Sequence, residues 1–197
     1  MSTVETGREF PAALRTEALE ELLTERGLVA APVIDGIIAT YEKQIGPLNG
    51  AKVVAKAWTD PAFRRRLLDD SSAVLDELGF LGNQGEHIVV VENTAKVHNV
   101  IVCTLCSCYP WSVLGLPPSW FKDPVYRARV VREPRKVLSE MGLDLADDVK
   151  ITVRDSSSEV RWLVLPERPA GTENLTEEEL VPLVTRDAMV GVAKVAA

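Results

Sequence analysis

All three cysteines of the 197-residue chain fall within six consecutive positions, at Cys103, Cys106 and Cys108. A disulfide framework needs an even number of cysteines spread along the chain, and neither condition holds here. Three thiolates this close together suit a single metal ion, because each is a soft donor and a short loop loses little further entropy when they converge. The sequence therefore predicts a metal site in residues 103–108, which we call the cysteine loop.

The spacing of the cysteines leaves the identity of the metal open. A structural zinc site usually takes four side-chain ligands from two separate pairs, and this chain has one CxxC pair. His98, five residues before Cys103, is a candidate fourth ligand for a Cys3His zinc site. The alternation at Cys106, Ser107 and Cys108 favours another donor set. Side chains that converge on one centre turn the peptide nitrogens between them toward it, so backbone amides become available as ligands.

The sequence around the loop also resembles a known family. Cys-Thr-Leu-Cys-Ser-Cys followed by Tyr-Pro-Trp is similar to the metal-binding loop of nitrile hydratase alpha subunits. The resemblance continues through residues 57–61, 114–118, 126–135 and 165–172, and it covers nearly all of the chain beyond residue 50. It implies a Lewis-acid enzyme that hydrates a nitrile to an amide with a non-corrin cobalt(III) or a non-haem iron(III).

The resemblance implies a role for each metal ligand. Cys103 would be the axial thiolate, and Cys106 and Cys108 would be the equatorial sulfurs. The family oxidises the last two, to a sulfinate at the Cys106 position and a sulfenate at the Cys108 position. The backbone amides of Ser107 and Cys108 would supply two nitrogen ligands.

Two neighbouring residues bear on the choice of metal. Thr104 and Tyr109 resemble the cobalt branch of the family, whereas the iron branch tends to have Ser and Thr at these positions. The resemblance therefore favours cobalt(III), with iron(III) as the alternative.

Other residues are candidates for the reaction itself. An oxygen on oxidised Cys108 is a candidate nucleophile or base. Gln84 matches a glutamine that faces the pocket in the family, although from the sequence alone it is a turn residue. Trp111 is a candidate pocket-lining residue, and the Tyr109 hydroxyl either reaches toward the site or bonds a neighbouring backbone group. The resemblance also places Asp155 close behind the metal ligands.

The resemblance implies a partner subunit as well. In the family, arginines of a beta subunit contact the oxidised cysteines, so we expect an alpha-beta heterodimer, often paired into a heterotetramer, and an inactive chain on its own. A small nitrile is the expected substrate, and a cobalt-loading chaperone is an expected further partner. The alternative functions are the metal-bearing subunit of thiocyanate hydrolase, which shares the loop, and a non-catalytic zinc-binding module.

Composition bounds the remaining partners. The net charge of -7 disfavours nucleic acid and anionic membranes as partners, because both are negatively charged. No run approaches the ~20 apolar residues of a membrane span, and the first nine residues lack a signal-peptide pattern. Cysteines without disulfide partners suit a reducing compartment, so we expect a cytoplasmic protein.

Hydrophobic periodicity predicts an α+β chain in two parts. Residues 1–50 are expected to form a helical N-terminal arm that packs on a partner subunit, with helices at 11–27 and 31–45. Residues 51–197 are expected to form a layered sheet-and-helix domain that carries the metal site. In this domain we predict helices at 51–68 with a break at 59–61, at 71–78, at 134–141 and from residue 176.

The strand predictions place the cysteine loop. Strands are predicted at 87–92 and 97–102, with the cysteine loop directly after the second, and at 150–154 and 161–165 as an antiparallel hairpin. After the loop, Pro110, Pro117 and Pro118 predict a rigid, non-helical wall. Four arginines follow at positions 127, 129, 132 and 135. We interpret them either as a solvated face or as partners for carboxylates at a subunit interface.

Overall fold

The computed structural model describes residues 11–41, 45–81, 87–106 and 108–196. The chain divides into two compact units, one that ends at Thr40 and one that begins at Tyr41. The division lies before the expected boundary at residue 50, because the helix that begins at Leu48 buries its residues from Gly50 onward in the core of the second unit.

The first unit contains the two helices predicted for the N-terminal arm. Helix α1 spans Pro11–Glu25 and helix α2 spans Ala31–Thr40, and α2 buries none of its residues. Several large apolar side chains of this unit are exposed, among them Leu14, Leu19, Leu22, Leu28, Val33 and Ile37. The packing of this arm on a partner remains a prediction, and the expected continuation of the second helix over 42–44 lies outside the described residues.

The second unit combines helices with four strands. It begins with α3 (Leu48–Thr59), α4 (Pro61–Asp69) and α5 (Ser71–Glu77), followed by β1 (His87–Glu92) and β2 (Val97–Val102). Four helices come next: α6 (Trp111–Leu114), α7 (Ser119–Lys122), α8 (Pro124–Arg132) and α9 (Pro134–Glu140). The chain ends with β3 (Lys150–Asp155), β4 (Val160–Leu165), α10 (Glu177–Leu180), a 3-10 turn (Val181–Leu183) and α11 (Arg186–Val190). The predicted α+β class is confirmed.

Local capping explains where several helices begin. The Asp60 carboxylate accepts hydrogen bonds from the backbone N–H groups of Ala62 and Phe63, with Pro61 in the first turn, and these bonds lower the pKa of Asp60. Prolines likewise precede α6 and α7, at Pro110 and Pro118. The predicted non-helical wall is therefore wrong at 111–114 and 119–122, because a proline at the start of a helix removes no hydrogen bond that the helix needs.

The strands form two parallel pairs. β1 pairs with β4, and β2 pairs with β3. The predicted antiparallel hairpin of β3 and β4 is wrong, because the short connections at 93–96 and 156–159 each carry the chain from one sheet to the other. β2 is buried from His98 to Val102, and β4 is buried over its last three residues. An isolated hairpin would leave such apolar strands uncovered, whereas packed parallel pairs bury them.

The sheet register sets where the cysteine loop begins. Val102, the last residue of β2, is paired with Asp155, the last residue of β3. Behind these strands lies a core of fully buried side chains, including Leu67, Leu75, Ile88, Ile101, Leu138 and Leu163. The C-terminal ends of β2 and β3 are thus held side by side where the cysteine loop begins. No helix in the described ranges is long and apolar enough to cross a membrane.

A close backbone approach joins α11 to β2. Gly191 follows α11 with a φ of +88°, and a Cβ atom there would lie 2.0 Å from the carbonyl oxygen of Asn99. We expect Gly191→Ala to lower the free energy of unfolding by at least about 2 kcal/mol, because a left-handed alanine and an overpacked contact each cost about 1 kcal/mol or more. Urea denaturation measures this change.

Gly142 supplies the matched control. It has a φ of +91° but no atom within 4 Å of an added Cβ, so Gly142→Ala should cost only the conformational penalty of about 1–2 kcal/mol. Equal losses in the two variants would show that the approach of Gly191 to β2 contributes nothing.

Candidate metal centre

The cysteine loop is fixed at its first residue. Cys103 follows the buried end of β2 and is itself 0% exposed. The neighbouring strand β3 holds the loop through Asp155, whose Oδ1 accepts the Thr104 N–H at 2.9 Å and whose Oδ2 accepts the Thr104 hydroxyl at 2.6 Å. The Ser156 N–H also donates to the Val102 carbonyl at 2.7 Å. Strand pairing and a carboxylate therefore set the direction in which the loop leaves the sheet.

The three cysteine sulfurs converge. The Sγ atoms of Cys103 and Cys106 are 3.4 Å apart, those of Cys106 and Cys108 are 3.0 Å apart, and all three lie within 4.8 Å of one another. The Cys106 N–H also donates to the Cys103 Sγ at 3.3 Å. These separations exceed the ~2.05 Å of a disulfide bond, so the three cysteines form no disulfide with one another. Among the described residues, this is the one group of three or more potential side-chain ligands that converges in this way.

The thiols would repel one another if all three ionised. Burial, followed by the hydrogen bond with Cys106 and the charge of Cys103, raises the pKa of the Cys108 thiol to about 12. A cation between the three sulfurs would reverse this effect, since coordination stabilises the thiolate form. Three soft anionic donors around one point fit a thiophilic transition metal and do not fit Mg²⁺ or Ca²⁺.

His98 does not belong to this group. Its Nε2 donates to the Gly191 carbonyl at 2.8 Å, and its Nδ1 accepts from the Asn93 amide at 3.2 Å. Burial lowers the pKa of His98, so the ring is neutral and both nitrogens are engaged. The Cys3His zinc set that the sequence left open is therefore not assembled in the structure.

Tyr109 and Trp111 occupy different environments beyond the loop. Tyr109 is 1% exposed and packs edge-on against Phe121 at 4.9 Å between ring centroids. Its buried hydroxyl has no hydrogen-bond partner among the described residues, and burial raises its pKa. Trp111 is half-buried at the start of α6 and contacts the Tyr41 ring edge-on at 5.7 Å. The roles predicted for both side chains in the reaction remain predictions.

Two of the predicted site residues cannot be placed. Gln84 and Ser107 lie outside the described residues, so the substrate contact expected of Gln84 and the amide ligand expected of Ser107 remain predictions.

Sequence reasoning missed one contact at the loop. Arg127, on α8, donates from Nη1 to the Cys106 carbonyl oxygen at 2.8 Å. Its neighbour Arg129 forms ion pairs with Glu133 and Glu140, and Arg135 donates to backbone carbonyls of residues 145, 146 and 149. These three arginines are thus engaged within the chain, whereas the fourth, Arg132, is exposed. The cap at Asp123-Pro124 was a signal for a helix over 124–132. Predicting that helix would have shown that its arginine side chains point in different directions.

The fold and the site together define a class of protein: an α+β protein in which a strand-end loop gathers three thiols in an arrangement that fits a metal ion. The sequence profile of the family "Nitrile hydratase, alpha chain" matches residues 11–193. The chain therefore belongs to the nitrile hydratase alpha chain family.

Individual relatives agree with this family. The low-molecular weight cobalt-containing nitrile hydratase subunit alpha of Rhodococcus rhodochrous is 56% identical over 181 residues, which cover 92% of this chain and 87% of that protein. The cobalt-containing nitrile hydratase subunit alpha of Pseudonocardia thermophila is 57% identical, over 90% of this chain and 88% of that protein. A solved double mutant of the Fe-type nitrile hydratase from Comamonas testosteroni Ni1 has a TM-score of 0.83 at 43% identity, covering 94% of this chain and 91% of that chain.

A second group of enzymes is more distantly related. The thiocyanate hydrolase subunit gamma of Thiobacillus thioparus is 39% identical over 89% of this chain and 76% of that protein. The expected relationship to thiocyanate hydrolase is confirmed. The chain is more similar in sequence to the nitrile hydratase subunits named above than to this subunit.

The clamp on Thr104 generates a testable prediction. In Asp155→Asn only one side-chain oxygen remains to accept the two Thr104 hydrogen bonds, so the loop should hold its metal less firmly. We expect cobalt retention against a chelator to fall about 10- to 100-fold, as is usual when a residue that orients metal ligands is replaced. Elemental analysis of cobalt-supplied protein during dialysis measures this.

Asp147→Asn is the charge-matched control, because Asp147 is exposed and precedes β3. Its cobalt retention should equal that of the unchanged chain. Retention that is also unchanged in Asp155→Asn would show that the carboxylate does not organise the loop.

Proposed function

We propose that this chain carries cobalt(III) in its cysteine loop and, in complex with a beta subunit, hydrates nitriles to amides. The observation that carries the proposal is the convergence of three cysteine sulfurs at the end of a buried strand. The cobalt-containing relatives and the residues Thr104 and Tyr109 support cobalt over iron, and the similar Fe-type structure keeps iron(III) as the alternative.

The ligands proposed are the sulfurs of Cys103, Cys106 and Cys108 and the backbone amides of Ser107 and Cys108. The gradient of exposure across the loop supports the proposed oxidation pattern. Cys103 is buried, whereas Cys106 is exposed and Cys108 is partly exposed. Because thiol oxidation follows accessibility, an oxidant reaches the last two sulfurs and not the first. A sulfinate at Cys106 and a sulfenate at Cys108 fit this order.

The trivalent ion would supply Lewis-acid chemistry, which activates a nitrile or a water molecule for attack. The residues of the chain hold and orient the reactants. An oxygen on Cys108, which is partly exposed, would act as the nucleophile or accept a proton from water. Gln84 would donate or accept a hydrogen bond at the substrate or the water. Trp111 would supply an apolar wall for the substrate, and the Tyr109 hydroxyl, which lacks a partner within the described part of the chain, remains available for a polar contact.

A beta subunit is proposed to complete the site. Leu105, in the middle of the cysteine loop, is 88% exposed. Val125 and Val131 are exposed on α8, the helix whose Arg127 contacts the loop. Large apolar side chains exposed around a reactive centre are typical of a surface that another chain covers. An alpha-beta heterodimer, paired into a heterotetramer, would cover this surface, and the family implies that arginines of the beta subunit contact the oxidised sulfurs. A cobalt-loading chaperone would be a further partner.

The similarity to thiocyanate hydrolase supplies the second candidate function. The test is to produce the chain in cobalt medium, alone and together with a nitrile hydratase beta subunit from a relative, and to offer an aliphatic nitrile and thiocyanate in parallel assays. We expect amide formation from the complex with the nitrile, little turnover of thiocyanate, and no measurable turnover by the chain alone.

The matched control is Cys103→Ser in the same complex, which removes one proposed ligand and should abolish activity. Thiocyanate turnover without amide formation would establish the second candidate instead. Full amide production by the isolated chain would refute the requirement for a beta subunit.

A further inference from the structure

We infer that Arg127 is a positioning residue of the metal centre: its guanidinium offsets the negative charge that the peptide between Cys106 and Ser107 carries when the loop holds a metal ion. This inference rests on the proposed function, in which the Ser107 amide nitrogen is a ligand.

The position of Arg127 is set by α8. This helix begins at Pro124, and the Asp123 carboxylate accepts the Val125 N–H at 2.8 Å as its N-terminal cap. The next residue, Tyr126, is buried and donates its hydroxyl to the Ile101 carbonyl of β2 at 2.7 Å. One end of α8 is therefore anchored to the strand that leads into the cysteine loop, and the adjacent Arg127 reaches the loop itself.

The contact is directed at one atom. Arg127 donates from Nη1 to the Cys106 carbonyl oxygen at 2.8 Å, which is a normal length for a charge-assisted hydrogen bond. Its Nε is buried and has no hydrogen-bond partner within the described residues. A half-buried guanidinium with an N–H group unused is available to respond to extra negative charge nearby.

No acidic side chain among the described residues forms an ion pair with Arg127. Within the described ranges no carboxylate lies at ion-pair distance from Arg127, whereas Arg129, on the same helix, pairs with both Glu133 and Glu140. The chain thus places an uncompensated positive charge against the backbone of the cysteine loop. A role that only braced the loop could be filled by a neutral hydrogen-bond donor.

The carbonyl that Arg127 contacts is chemically linked to the proposed nitrogen ligand. The Cys106 carbonyl and the Ser107 nitrogen belong to the same peptide unit, and peptide resonance shares charge between the oxygen and the nitrogen. A peptide that coordinates through a nitrogen without its proton therefore carries much of the extra negative charge on this oxygen. A guanidinium hydrogen bond at that oxygen stabilises the charged form of the donor set.

The test compares Arg127→Met, Arg127→Lys and Arg132→Met in the full chain, produced with cobalt and its beta partner. Arg132 is exposed on the same helix, so Arg132→Met matches the loss of charge without the contact. Two measurements are made: the sulfur-to-metal charge-transfer absorption band, and the rate at which cobalt is lost to excess chelator. We expect Arg127→Met to shift the band and to lose cobalt about 10- to 100-fold faster. Arg127→Lys, which keeps the charge, should be intermediate, and Arg132→Met should match the unchanged protein.

Each other outcome is decisive. An absorption band and a cobalt loss rate in Arg127→Met that equal those of the unchanged protein would overturn the inference. So would a metal-free Arg127→Met protein that unfolds at a much lower temperature than the metal-free unchanged protein, because Arg127 would then serve the fold. Failure of the unchanged protein to bind cobalt would instead refute the proposed function.

Discussion

The pairing of β2 with β3 is the constraint on which the metal centre depends. Because Val102 is paired with Asp155, the carboxylate lies beside the first residues of the cysteine loop and accepts two hydrogen bonds from Thr104. Cys103 is fixed by the strand that precedes it, and the other two cysteines follow on a loop whose exit is held from the neighbouring strand. A site built on the ends of paired strands is more precise than one built on a loop alone.

The chemistry of the loop follows from crowding three sulfurs. Burial and the neighbouring sulfurs raise the pKa of Cys108, so this thiol favours its protonated form. A multiply charged soft cation would offset this cost on binding, and metal uptake would then release protons. On the backbone side of the loop, Arg127 adds a positive charge at the Cys106 carbonyl. The loop thus receives an anionic clamp at Thr104 and a cationic contact at Cys106.

Local sequence signals predicted much of this arrangement. The β-branched runs at 87–92 and 97–102 correspond to β1 and β2, and the cysteine loop follows β2 directly, as expected. The helix predicted from residue 176 is also found, and it begins with a capping box in which the Thr176 hydroxyl accepts the Glu179 N–H. These features depend on neighbours in the sequence. The spacing of the cysteines left the identity of the metal open. The family resemblance supplied the predictions of the ligand atoms, the metal and the partner subunit.

The features that were missed depend on distant residues. The partner of β3 is β2, some fifty residues earlier, and alternation of apolar residues in 150–154 and 161–165 contains no information about that choice. His98 was a candidate zinc ligand because it lies five residues before Cys103. In the structure its ring instead hydrogen-bonds the Gly191 carbonyl, at the end of α11. The contact of Arg127 with the loop likewise depends on a helix at 124–132. The arginine-rich sequence of this segment did not indicate that one side of the helix is buried.

The central claim is that one cobalt ion is held by three sulfurs and by nitrogen atoms of the backbone. X-ray absorption at the cobalt edge, on protein purified with its beta partner, measures the ligands directly. The account predicts three sulfur neighbours and about two nitrogen neighbours around each cobalt. A shell of oxygen and imidazole nitrogen without sulfur would contradict it.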